Sequence, residues 1–232
     1  MIAGSYSMMG SKHKVNQDSM FLKCQGKKCL CAVADGMGGH NAGDVASRTA
    51  INIIGNIMHS DEKSLALAFE EANRAIFGMS ECDKSLEGMG TTIVLAAINK
   101  YTCTVMHVGD SRAYGVTQNH IKQITTDHSY VQELVDNGKI TPNEAKNHPM
   151  KNIITKAVGV SDSVTPNIKQ ITFNKNDILV LCSDGVSGAL SEEEIITCCH
   201  EHMPPEAAEA LCRLAVKNGA TDDVTAIVVK ID

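Results

Sequence analysis

The chain has 232 residues, 43% of them hydrophobic and 21% charged, a balance that excludes a disordered or collagen-like protein and suffices for one core-forming domain over residues 1–232. Formal net charge is −6, from 27 acidic and 21 basic residues, and aromatics are 3%, which lacks the basic, stacking surface of a nucleic-acid binder. The longest apolar runs, such as Ile93 to Ile98, fall far short of the roughly 20 residues that span a bilayer, so no membrane insertion is expected. The first residues, MIAGSYSMMGSKHK, lack the order of a secretory signal, and the expected location is cytoplasmic.

FLKC at 21–24 and KCLCAVAD at 28–35 flank a turn and predict a hairpin whose second strand is buried and ends at Asp35. After GMGG at 36–39, the spacing of Val45, Ile53, Ile54 and Ile57 predicts a helix from Ala42 to Met58. A second helix is predicted over 63–79, where Leu65, Ala68, Ala72 and Ile76 form an apolar stripe. GTTIVLAAI at 90–98, YTCTVMHVG at 101–109 and RAYGV at 112–116 then predict consecutive antiparallel hairpins. Residues 126–150 predict a polar helix around Tyr130 to Asn137, then a loop through Thr141-Pro142 and His148-Pro149. DILVLCSDG at 177–185 predicts a buried strand, followed by a helix with a capping box of Ser191 and Glu194. Pro204 and Pro205 open a further helix through Val216, and DVTAIVVKI at 223–231 predicts a closing strand.

Nine cysteines, an odd number with no CxxC, predict reduced thiols, with Cys29, Cys31, Cys103 and Cys182 packed as small hydrophobes. The mixture of hairpins and helices does not alternate as a parallel-sheet fold does. It predicts an α+β domain, an α-β-β-α sandwich of two antiparallel sheets flanked by helices.

Asp35, Asp110 and Asp184 each follow an apolar run and stand beside Gly or Ser, in VADGMGG, HVGDSRA and LCSDGVS. Any one of them alone is accounted for as a turn former, because an aspartate carboxylate accepts nearby backbone N–H groups. Three in the same setting, with Asp18 and Asp222 beside other strand segments, point to a hard oxygen-ligand site for Mg2+ or Mn2+. Asp35-Gly36 suits such a site, since a carboxylate can bridge two ions while the glycine carbonyl supplies another oxygen.

VADGMGGHNAGD (33–44), GTT (90–92), VGDSRAY (108–114), TTDHS (125–129), ITKAVG (154–159), CSDG (182–185) and TDDVT (221–225) stand in the order seen in metal-dependent serine/threonine phosphatases. From about Met9 to Val229 the chain resembles that PPM, or type 2C, family, its bacterial branch most of all. The resemblance implies a β-sandwich flanked by helices, two bound Mn2+ or Mg2+ ions and a third that binds more weakly. It implies Asp35 as the bridging ligand, Gly36 as the carbonyl ligand, Asp184 and Asp222 as first-metal ligands, Asp18 as an outer acid and Asp110 as a third-ion ligand. The implied chemistry is in-line attack on phosphorus by a water that the paired cations acidify, with Asp35, Asp184 and Asp222 as the catalytic set. Phosphorylated proteins, a bacterial Ser/Thr kinase and its substrates are the implied partners, and the implied state is a monomer. A flap-like segment at about 126–150 would contact the protein substrate.

Where the family's phosphate-gripping Arg stands, GSKHKVNQD at 10–18 has His13, so phosphate contact falls to His13 with Lys12 or Lys14. Met8 replaces the family's acid on the first strand, and Asp223 stands where the family often has Asn, a candidate either for capping the turn into the last strand or for a catalytic role. His40 is a candidate general acid or a loop histidine. In TTDHS, Asp127 and Ser129 are expected to start a helix. Two competing readings are a catalytically weak metal-binding module that recognises phosphorylated partners and an acidic scaffold whose DG, GDSR, SDG and TDD segments are ordinary turns.

Overall fold

Ile93–Asn99 is apolar on both faces, and its two-residue period sorts the core into layers. Val94, Ala96 and Ile98 pack between two sheets, whereas Ile93, Leu95 and Ala97 pack under helices. The computed structural model describes residues 1–38, 42–57 and 61–232. Its strands are β1 (Ile2–Met8), β2 (Asp18–Gln25), β3 (Lys28–Met37), β4 (Gly90–Thr91), β5 (Ile93–Asn99) and β6 (Thr102–Val108). They continue with β7 (Arg112–Val116), β8 (Ile121–Gln123), β9 (Asn167–Thr172), β10 (Ile178–Cys182) and β11 (Val224–Lys230). One antiparallel sheet runs β1-β11-β10-β7-β8, and the other runs β2-β3-β5-β6-β9 with β4 added to β3.

Two long helices, α1 (Ala42–Gly55) and α2 (Glu62–Cys82), cover the second sheet, burying Ala46, Ile54, Leu65 and Phe69 against Leu95 and Met106. The predicted end of α1 at Met58 lies outside the described residues. Segment 126–150 holds α3 (Tyr130–Asp136) and α4 (Pro142–Lys146), and a short α5 (Asp184–Ser187) follows β10. On the first sheet's outer face, α6 (Glu192–Glu201) and α7 (Pro204–Lys217) bury Ile195, Leu211 and Cys212 against Val180, Ala226 and Val228. The sandwich of two antiparallel sheets between helices is therefore as expected, α6 starts after its predicted cap Ser191, and both ends of α7 fall within a residue of their predicted positions.

Four local expectations need correction. β6 and β7 do not form a hairpin: β6 pairs with β5 and β9, while β7 pairs with β8 and β10. The chain crosses between sheets at Gly109–Ser111, where Gly109 has φ +100° and a Cβ would strike the Thr92 side chain. The run 90–98 is split at Thr92, whose N–H donates to the Asp35 carbonyl (2.8 Å). Thr141-Pro142 opens α4 through a capping box with Glu144 instead of continuing as loop.

The fourth correction is that Cys24 and Cys29, directly opposite across the β2–β3 hairpin, form a disulfide. Of the remaining thiols, Cys31, Cys103, Cys182, Cys198, Cys199 and Cys212 are buried and Cys82 is exposed. Burial pushes Cys103, Cys182 and Cys199 up to about 12, which makes them inert core groups. No helix among the described residues is long and apolar enough to cross a membrane.

Candidate metal centre

The predicted acids come from both sheets and meet at one end of the sandwich. Asp18 begins β2 directly opposite Asp35 on β3, so the hairpin register alone sets two carboxylate-bearing positions side by side. Asp35 is held rigidly by its backbone, its N–H donating to Thr92 Oγ1 (3.0 Å) and its carbonyl accepting from Thr92 N (2.8 Å) and Thr91 Oγ1 (2.9 Å). Gly36 N–H donates to the Gln17 carbonyl (3.1 Å), and a Cβ here would run into the backbone of Gly43 and Gln17. Only glycine fits that approach.

From the other sheet, Asp184 opens α5 after β10, and Asp222 stands two residues before β11. Ser183, at the N-cap position, makes no capping bond because its hydroxyl donates to Asp18 Oδ2 (2.7 Å) while accepting from Thr225 N (3.1 Å). That serine joins β10, β11 and β2. Asp110, 9% exposed, is carried by the sheet-crossing turn.

Burial and mutual repulsion disturb these acids together. Burial, with Asp223 and Asp184 facing it, pushes Asp18 up to about 7 against the lowering bonds from Thr225 and Ser183. Asp35 is raised well above the usual carboxylate range by burial, then by Asp18, Asp184, Asp110 and Asp222. Burial followed by Asp184 and Asp127 pushes Asp110 up to about 7, and burial followed by Asp222 raises Asp184. Four acids are thus destabilised as anions by one another.

Among the described residues, one buried side-chain polar atom has no hydrogen-bond partner, Asp18 Oδ1. An orphaned carboxylate oxygen in a side chain that feels the Asp223 and Asp184 carboxylates fits a hard divalent cation.

The three candidate phosphate contacts are not gathered into one cationic patch. Lys12 Nζ lies 3.3 Å from Asp222 Oδ2, and His13 Nδ1 lies 2.8 Å from Asp223 Oδ2 and 3.5 Å from Asp222 Oδ1. Lys14 is exposed and has no ion pair among the described residues. His13, Asp222 and Asp223 bring their ligand atoms within 4.8 Å of one another. Met8 ends β1 opposite Val224 and packs into the apolar layer under α7. His40 lies outside the described residues.

Asp223 is the residue that the sequence reading passed over. It does not cap a local turn. Its carboxylate accepts from Gly10 N (2.7 Å) and Gln17 N (2.8 Å), bonds spanning more than 200 residues with no local signature. Asp127, expected to start a helix, instead takes a forked pair of bonds from Arg112, with Nη2 at 2.6 Å. Ser129 alone caps α3, accepting from Gln132 N. Between them His128 Nδ1 accepts from Gly109 N (3.0 Å) and its ring stacks on His107. Burial and His107 hold the His128 imidazole down at about 4, a neutral brace under the Asp110 turn.

Comparison with known proteins agrees with this geometry. Residues 9–222 match the model of the protein phosphatase 2C family. The chain is 36% identical over 222 residues to serine/threonine protein phosphatase PstP of Mycobacterium tuberculosis, covering 93% of this chain but only 42% of that relative's length. The crystal structure of serine/threonine phosphatase Stp1 from Staphylococcus aureus superposes with a TM-score of 0.93 at 33% identity, covering 100% of this chain and 96% of that one. The catalytic domain of PstP in complex with two manganese ions superposes with a TM-score of 0.88 at 33% identity, covering 99% and 98%. The chain belongs to the protein phosphatase 2C family.

Proposed function

We propose that this chain hydrolyses phosphoserine and phosphothreonine in proteins, with Mn2+ or Mg2+ held by the strand-end acids. The observation that carries the reading is the set of buried, mutually repelling carboxylates with one oxygen left unpartnered. Asp35, Gly36, Asp184 and Asp222 would hold two ions, Asp18 would support them from the outer side and Asp110 would serve a third. When bound, such cations acidify a water and neutralise charge on the phosphoryl oxygens.

The chain's own part is positional. Thr91 and Thr92 fix the Asp35 backbone, Ser183 fixes Asp18, and the Gln17 carbonyl fixes Gly36, so the ligand oxygens need little reordering. Lys12 and His13, with Lys14 alongside, are the cationic and imidazole groups nearest Asp222 and are assigned to the substrate phosphate. Segment 126–150 carries α3 and α4 and joins the Asp110 turn through His128 N–H to the Gly109 carbonyl (3.0 Å). It is assigned to the protein substrate, with Met150 at its end as an exposed apolar contact. A cytoplasmic enzyme opposing a bacterial Ser/Thr kinase is the role that fits this chemistry.

A second reading, a weak enzyme that mainly recognises phosphorylated partners, is favoured only by the engagement of Lys12 and His13 with Asp222 and Asp223. Phosphate release from a phosphothreonine peptide, measured with Mn2+ and with EDTA beside binding of the same peptide, decides between them. Release that needs Mn2+ supports the enzyme. Tight binding without turnover supports the reader and overturns the proposal.

A further inference from the structure

Asp223 is 2% exposed, yet neither of its oxygens is short of partners. Oδ1 accepts from Gly10 N at 2.7 Å, and Oδ2 accepts from Gln17 N at 2.8 Å while meeting His13 Nδ1 at 2.8 Å. A carboxylate oxygen that already accepts a backbone N–H is an acceptor toward the ring as well, so the ring proton sits on Nδ1. With three donors on two oxygens, Asp223 is a hydrogen-bond acceptor hub and has little left to offer a cation, despite its place beside His13 and Asp222.

All three donors lie in the segment 9–17, which carries the chain from β1 in one sheet to β2 in the other. A further tie runs from Lys12 N–H to the Thr221 carbonyl (3.0 Å). Gln17 then passes the restraint on, because its carbonyl holds Gly36 N–H and the next residue is Asp18. His13 keeps 28% of its side-chain surface exposed, and among the described residues its Nε2 has no hydrogen-bond partner.

We infer that Asp223 is a positioning residue that acts through His13: it locks the sheet-crossing segment and fixes the ring with Nδ1–H inward and Nε2, an acceptor, open to a water that can donate both to it and to the substrate phosphoryl group. The inference rests on the proposed phosphoester hydrolysis. An imidazole held by one strong bond is ordered before substrate arrives, so less side-chain freedom is lost on binding. The same arrangement, a carboxylate behind a histidine, fixes tautomer and ring orientation wherever histidine must present one chosen nitrogen.

Nitrogen-15 NMR of the Mg2+-loaded protein at about pH 8.5, above the ordinary imidazole range, reads the tautomer directly. His13 is expected as the Nδ1-protonated form in the wild type and to shift toward the Nε2-protonated form in Asp223→Asn, whose single acceptor oxygen cannot serve Gly10, Gln17 and the ring together. A wild-type ring protonated on Nε2 overturns the inference by itself, whether or not the variant folds. In kinetics, Asp223→Asn should raise KM for a phosphothreonine peptide about tenfold with kcat within about twofold. In a His13→Ala background the same change should add nothing to KM. Equal KM increases in both backgrounds would show that Asp223 acts without His13 and would overturn the inference. Failure of the wild type to release phosphate would sink the proposed function instead, while the tautomer measurement would still decide the hold on His13.

Discussion

Arg112 and Asp127 form a half-buried ion pair that the chain itself compensates: two guanidinium nitrogens reach the carboxylate, Tyr114 Oη accepts from Arg112 Nη1, and Gln123 donates to Asp127 Oδ1. Nearby, Asp18, Asp35, Asp110 and Asp184 are buried together, and among the described residues the cations acting on them are only Lys12 and Arg112, each on some members. Both regions place charge where burial is costly, but only the first resolves the cost within the chain. The difference teaches which carboxylates serve the fold and which the fold tolerates for another purpose.

The largest effect that would sharpen the contrast is on turnover. Asp184→Asn removes an acid from the unresolved cluster and should lower Mn2+-dependent phosphate release by about 100-fold or more, read in the phosphopeptide assay. Next comes the resolved pair: Arg112→Ala strands Asp127 and should cost about 3–5 kcal/mol in urea unfolding. A loss below about 1 kcal/mol would show that this pair is no better compensated than a surface contact. The sign reverses for Asp18→Asn. Removing one repelling charge should raise the stability of the metal-free protein by on the order of 1 kcal/mol, about 2–4 °C in melting temperature, while weakening Mn2+ binding. Smallest is Thr141→Ala, which breaks the exposed capping box of α4 and should cost about 1 kcal/mol or less, visible as faster amide exchange confined to residues 141–146.

Much of this was legible in the chain because its causes are local. A hairpin turn, an apolar run ending in Asp-Gly, and a serine three residues before a glutamate each write their structure within a few residues, as β2–β3, β10 and α6 show. The Cys24–Cys29 disulfide was local too: two residues that flank a two-residue turn symmetrically must face each other, and the odd cysteine count hid it. Other features had no local cause. β1 contains Gly4 and two serines, and Gly4 is explained only by the backbone of Pro205 lying against it. The switch of β6 and β7 between sheets depends on partners in β9 and β10, which a hairpin reading cannot supply. For the site, the residue types at strand ends named the acids, but the hold of Asp223 on Gly10, His13 and Gln17 exists only once β11 and the segment 9–17 meet.

The most direct test is the melting temperature of the metal-free protein across about pH 5 to 8, repeated with Mn2+. Asp18 and Asp110, raised from the ordinary carboxylate value to about 7, bind more protons folded than unfolded between those limits. Their contribution is therefore present at low pH and lost as pH rises through about 7, so the metal-free protein should melt progressively lower over this range. Saturating Mn2+ should restore the loss at the upper end, and Asp35→Asn should shrink both the fall and the rescue. A metal-free protein whose melting temperature is flat or rises across this window, with no upward shift on adding Mn2+, would contradict the claim that these acids await a cation.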